Sequence, residues 1–341
     1  GYVGYLEARK GEQAKEWCGT TKECYDEFDL EAKRRALDFI RRNAEAGRPF
    51  FLSWWPQYVS FIPQPQKSSL QRGIAGDAYE SILDPAVGEL MQTLRDLGIA
   101  ENTLVVVMAD NGPMTHDPPP GLGMGEGIFR GGKGDFLEGG VRVSAAAWWP
   151  GMIDGDQVPG DIIHVTDLYT TFARLAGATG YIPTDRVIDG VDQTSLLLNG
   201  DGNGRRDYVF IYAGHSLAAT VKDHYKRHWF ADPLQAASGI GAAYFDLYND
   251  PREEVPLLIN LLHFKEPFNR MRARHEAWME AYPNFEPVYG PAYTGISNAR
   301  PETRALSEPP AAMQNLPFPA LEYIERLDDL PFDPNGEPDA N

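Results

Sequence analysis

Long apolar runs are missing from this 341-residue chain. A bilayer-spanning helix needs about 18 to 20 consecutive apolar residues, and the longest apolar pieces are strand-like, such as Leu104 to Ala109; no membrane span is expected. Basic charge is scarce as well: 31 Lys and Arg face 49 Asp and Glu, for a net charge of −18. Nucleic-acid binders need a concentrated basic surface, so no nucleic-acid partner is expected. The acidic field would repel an anionic substrate at long range, so any anion site must be a local cluster of cations or a metal ion. Cysteine is limited to Cys18 and Cys24, too few ligands for a thiolate metal centre. A local disulfide and two free thiols fit the pair about equally; the first would imply an oxidising compartment. A periplasmic or secreted location is expected, with a cytoplasmic one left open. The opening Gly1-Tyr2-Val3-Gly4-Tyr5 shows no charged n-region, apolar h-region or cleavage site of a secretory signal. No G-x-S-x-G elbow occurs, which removes an α/β-hydrolase reading, and there is no internal repeat.

What is present is a globular composition, 43% hydrophobic and 11% aromatic, enough to bury one large domain or a large and a small one. Asp29 to Ala46 reads as an amphipathic helix with Leu37, Ile40 and Ala44 on one face, stopped by Gly47. Pro49 to Trp55 is an apolar run of buried-strand type. A second helix, about Tyr79 to Leu97, places Leu83, Val87, Leu90, Met91 and Leu94 on one stripe before Gly98. A strand from Thr103 to Met108 then runs into Ala109-Asp110-Asn111-Gly112. This alternation predicts the α/β class, with a mostly parallel sheet sandwiched by helices and ligand groups at the carboxyl ends of strands. Pro118 to Gly140, rich in Gly and Pro, is too long for an ordinary connection and reads as a functional loop. Ala145 to Trp148 ends in Pro150-Gly151, and a helix from about Thr166 to Ala176 stops at Gly177. Strand-like Tyr208 to Tyr212 and Tyr244 to Leu247, with a helix near Phe268 to Ala281, predict a small C-terminal α+β subdomain.

Two stretches carry candidate chemistry. Asp110 and Asn111, at a strand's carboxyl end, offer a carboxylate and an amide oxygen suited to Ca²⁺ or Mg²⁺; the same Asp-Asn-Gly also makes an ordinary turn. Phe129-Arg130-Gly131-Gly132-Lys133-Gly134, followed by Glu138-Gly139-Gly140-Val141-Arg142-Val143, combines glycines that let backbone amides approach an anion with one compact ammonium. Out of context it reads more readily as an exposed flexible turn with a solvated lysine. Gly127, Gly132 and Lys133 have Walker A spacing, but Gly134 replaces the magnesium-binding Ser or Thr, so an NTPase is set aside. His116, in the loop after the Asp-Asn pair, could face a substrate. His164 belongs to a helix entry where Thr166 or Asp167 could cap. His215, His224 and His228 lack metal-ligand spacing.

As an ordered set, Pro49-Phe50-Phe51-Leu52, Leu97 to Val105, Ala109 to Gly112, Arg130 to Gly134, Glu138 to Val143 and Trp149-Pro150-Gly151 resemble the sulfatase family of the alkaline-phosphatase-like superfamily. Phe245-Asp246-Leu247 and Asp250-Pro251-Arg252-Glu253 resemble its C-terminal subdomain. The resemblance covers roughly residues 30 to 290 and implies that 1–205 are the C-terminal part of the α/β core and 206–290 a small subdomain; the Pro- and Ala-rich 291–341 reads as an extended arm. It implies a sulfuric-ester hydrolase acting on a sulfate-ester small molecule or a sulfated carbohydrate. Asp110 and Asn111 would ligate one Ca²⁺, and Lys133 would contact a sulfate oxygen. The C/S-x-P-x-R motif that supplies the family's formylglycine nucleophile is absent, as are the other aspartates of the Ca²⁺ shell, so the chain alone is expected to be inactive. Alignment through Pro56 puts Ser60 near the position of a family histidine, which leaves His116 as a candidate proton donor. A non-catalytic sulfatase-like binder, and a phosphonate monoester hydrolase or phosphodiesterase of the same superfamily, remain as alternatives.

Overall fold

The computed structural model describes residues 5–9, 12–19, 22–56, 83–113, 128–214, 216–229, 243–257 and 262–283. They fall into two compact units broken between Leu30 and Glu31. In the first, β1 (Tyr5–Glu7) pairs antiparallel with β2 (Lys15–Cys18), and Tyr5 stacks on Phe28 with ring centroids 3.9 Å apart. Cys18 and Cys24 form a disulfide with Cα atoms 5.9 Å apart, so the bonded alternative is the one present.

α1 (Lys22–Glu45) begins upstream of the expected start and ends where Gly47 takes a positive φ of 59°. In the second unit Leu37 and Ile40 are buried, as their shared helix face predicts. α2 (Asp84–Asp96) opens with Pro85, whose fixed φ suits a first turn, and buries Leu94. β3 (Val105–Met108) pairs with β4 (Ala145–Trp148), Val105 opposite Trp148 and Met108 opposite Ala145. Between them lies α3 (Glu138–Val141). α4 (Asp167–Leu175) and α5 (Thr194–Asn199) follow. Then β5 (Tyr208–Ala213), β6 (Ser216–Lys222), β7 (Tyr225–His228) and β8 (Ala243–Asp246) form a four-stranded meander. α6 (Leu262–Ala281) covers one face of it, through Phe268 on Tyr244 and His275 on Phe210. Ile211, Ala219, Val221, Ala243, Phe245 and Leu247 form the core of the other face, against Phe136 and Ile162.

The expected mostly parallel sheet is not seen among the described residues. Every strand pair among the described residues is antiparallel. The chain leaves β3 and returns to the same end of the ladder at β4, which fixes opposite directions. Pro49 to Trp55, expected as a strand, forms none: apolar composition supplies side chains to bury, but a strand also needs a ladder for its backbone. Instead its rings are taken up singly, Phe50 edge-on to Phe39 and Phe51 against Phe172, each with centroids 6.0 Å apart, while Phe51 and Trp55 stay 70% and 72% exposed.

Candidate functional site

β3 delivers Ala109-Asp110-Asn111-Gly112 at its carboxyl end, and the ladder continues one step further through the Ala109 N–H to Ser144 O bond of 3.2 Å. Two backbone hydrogen bonds fasten this turn to the returning loop. Gly112 N–H donates to Gly140 O at 3.1 Å and Lys133 N–H to Pro113 O at 2.8 Å. Inside the loop, Gly139 N–H donates to Arg130 O at 2.8 Å, and Asp135 Oδ2 accepts the Gly132 N–H at 2.9 Å. The interlock requires glycine: a Cβ on Gly112 would overlap the Gly139 carbonyl, and one on Gly140 the carbonyls of Asp135 and Gly132. The structure therefore brings the Asp-Asn-Gly turn and the Gly-Gly-Lys-Gly loop together at one end of β3 and β4.

Within the turn, Asn111 N–H donates to Asp110 Oδ1 at 2.9 Å, and Asn111 Nδ2 donates to Gly112 O at 2.8 Å. That orientation leaves Asp110 Oδ2 and Asn111 Oδ1 as hard oxygen donors on a surface where Asp110 and Lys133 are both exposed. Ca²⁺ takes about six to eight such oxygens. The pair fits as part of a shell, and among the described residues no group of three or more His, Cys, Asp and Glu could hold a metal. Ser60, His116 and His215 lie outside the described residues.

A second construction braces the α4 side of the core. Asp167, fully buried, accepts hydrogen bonds from Arg206 Nη2 at 2.6 Å, Arg206 Nε at 2.8 Å, Val191 N–H at 2.7 Å and His164 N–H at 2.9 Å. Burial alone would raise its pKa; the Arg206 and backbone bonds outweigh that and hold the carboxyl below the usual range. Of the two expected caps, Thr166 takes the N-cap position, without a side-chain cap bond, and Asp167 acts as a brace. Burial, then the Arg206 charge, push the His164 imidazole down, and burial does the same to His275.

A depressed histidine binds fewer protons folded than unfolded, so stability falls as pH drops through the ordinary histidine range near about 6.5. A depressed carboxylate contributes stability that is complete above its unfolded value near about 4 and lost below it. Melting temperature against pH should therefore decline in two steps on acidification. A single step beginning only below about pH 4 would contradict the His164 and His275 assignments.

A protein-family model described as Sulfatase matches residues 77–178, which include Asp110, Asn111 and Lys133. N-acetylgalactosamine-6-sulfatase of Homo sapiens is 31% identical over 318 residues, covering 81% of this chain and 59% of that protein. Arylsulfatase A of Homo sapiens is 37% identical over 255 residues, covering 67% and 48%. The chain belongs to the sulfatase family. In three dimensions it resembles the crystal structure of PsFucS1 sulfatase from Pseudoalteromonas sp., with a TM-score of 0.69 at 27% identity over 83% of this chain and 59% of that one. That likeness supports a sulfatase-type α/β fold for the chain. The chain spans about half the length of the curated relatives it matches.

Sequence reasoning gave no role to Lys226, His228 or the Asp167–Arg206 pair, and took Glu138 and Glu253 only as members of motifs. Four consecutive residues Tyr225-Lys226-Arg227-His228 look like a solvated turn by composition, yet the last three are buried in β7.

Proposed function

We propose that this sulfatase-family chain carries one flank of the site of a Ca²⁺-dependent sulfuric-ester hydrolase, with Asp110 and Asn111 holding the cation and Lys133 contacting the sulfate. The observation that carries the reading is the pair of backbone bonds, Gly112 to Gly140 and Lys133 to Pro113, which joins the two stretches. The cation, when bound, would polarise the sulfate ester. Lys133 would add a compact positive charge where oxyanion charge develops. The local cation also answers the long-range repulsion expected between a chain of net charge −18 and an anion. The substrate class is a sulfate ester on a small molecule or a carbohydrate, in keeping with the relatives' names. The disulfide supports an oxidising, periplasmic or secreted location.

No C/S-x-P-x-R motif occurs in these 341 residues, which favours binding without turnover by this chain alone. Titration calorimetry with inorganic sulfate, with and without Ca²⁺, tests both parts. Ca²⁺-dependent binding is expected, with Lys133→Ala weakening it by about 1.5 to 3 kcal/mol, the scale of a hydrogen bond to a charged group, and with no hydrolysis of an aryl sulfate. Equal sulfate affinity in Lys133→Ala would sink the anion assignment; hydrolysis by the unaided chain would sink the need for a separate nucleophile segment.

A further inference from the structure

Lys226 has no solvent exposure. Along β7 the side chains alternate: Arg227 turns to the α6 face, where Nη1 meets Asn269, and Lys226 and His228 turn to the face that carries Phe136. The Lys226 ammonium donates to Phe136 O at 2.8 Å and Glu138 Oε1 at 3.1 Å and forms an ion pair with Glu253 Oε1 at 2.9 Å. Glu253 Oε1 also meets His228 Nε2 at 2.7 Å, and Glu253 Oε2 accepts the Glu138 N–H at 2.7 Å. An ionised carboxylate only accepts, so the proton in the His228 contact sits on Nε2. Arg142, at the rim 3.7 Å from Glu138, adds a further positive charge. Burial on its own would raise the Glu253 pKa; the His228 bond, the Lys226 charge and the Glu138 amide hold it below the usual range. Phe136 meets the His228 ring edge-on at 5.1 Å and packs on the core of the sheet.

A buried ion network is a poor route to stability, because apolar side chains of the same volume often do as well or better. What apolar side chains cannot do is bind backbone polar groups. This network binds two, the Phe136 carbonyl and the Glu138 amide, which immediately precede the Gly139-Gly140 pair locked against Gly112.

We propose that Glu253, with Lys226 and His228, is a positioning group for the anion site: it fixes the Phe136–Glu138 backbone, and through Gly139 and Gly140 the placement of Lys133 beside Asp110 and Asn111. The proposal rests on Lys133 being the anion contact.

The test uses the full chain and Glu253→Asp, which keeps the charge and shortens its reach. Hydrogen exchange should accelerate at the Gly112, Lys133, Gly139 and Gly140 amides and stay unchanged at Val209 and Val221 of the β5–β6 ladder. Sulfate affinity should fall about 10-fold, the scale for groups that orient a ligand-binding residue. In a Lys133→Ala background the further loss should vanish, since coupled effects are not additive. His228→Gln, which retains a donor for Glu253, is the milder second variant and should show the same exchange pattern if Glu253→Asp does not fold. Uniform acceleration across the β5–β6 ladder, or full additivity with Lys133→Ala, overturns the positioning role. If Lys133→Ala leaves sulfate binding intact, the anion assignment fails separately, and the exchange pattern still decides whether Glu253 holds the loop.

Discussion

Replacing Arg206 by alanine is expected to destabilise the chain by about 3 to 5 kcal/mol, the usual result of leaving one half of a buried ion pair behind. Asp167 is fully buried and its two oxygens are bonded by Arg206 Nε and Nη2, so removal of the guanidinium strips the carboxylate of its counter-charge. The backbone amides of Val191 and His164 remain but are neutral donors. Arg206 Nη2 also donates to Asp189 O at 2.7 Å, so the same change frees the segment around Asp189. Adding Asp167→Asn should recover part of the loss, because the amide oxygen still accepts while the stranded charge is gone. Chemical denaturation of the single and double variants measures both effects, and a loss under about 1 kcal/mol, typical of a solvated surface pair, would refute the brace.

The second large effect is expected from Gly112→Ala. The new methyl would occupy the position of the Gly139 carbonyl, and its neighbours there are backbone atoms that cannot rotate away. Overpacking of ordinary cores costs about 1 to 3 kcal/mol; here the collision falls on the clamp itself, so sulfate binding should be lost together with at least that much stability. Gly88→Ala provides the contrast. Gly88 lies inside α2 with nothing within 4 Å of the added atom, and alanine there should raise stability by about 0.5 to 1 kcal/mol through helix propensity. Thermal melts of the two variants should move in opposite directions. A Gly112→Ala protein that melts and binds sulfate like the parent would mean that the turn and the loop are not interlocked.

The parts of the molecule with a simple period were legible in the sequence. Leu37 and Ile40 marked the buried face of α1, Gly98 the end of α2, and the apolar runs after Thr103 and at Ala145 became β3 and β4. Asp110, Asn111 and Lys133 were legible as residue types, but not the reason they meet. That reason is carried by glycine amides and carbonyls, which have no side-chain signature. Pro49 to Trp55 looked like a strand because hydrophobicity reports burial and not hydrogen-bond partners. β6 and β7 escaped notice because Thr220, Lys226, Arg227 and His228 are buried polar residues whose partners are distant in sequence, Glu253 and Asn269 among them.

The four-stranded sheet carries α6 on one face and the Phe136 loop on the other, which constrains how the protein can change over generations. Phe136, Glu138, Lys226, Phe245 and Glu253 come from widely separated stretches yet share one wall. A substitution at any of them acts on partners far away in the sequence, so a meander exchanged as a self-contained cassette is expected to lose these contacts. Recombination between sulfatases that cut between α5 and β5 would unite a loop with a floor shaped for a different one.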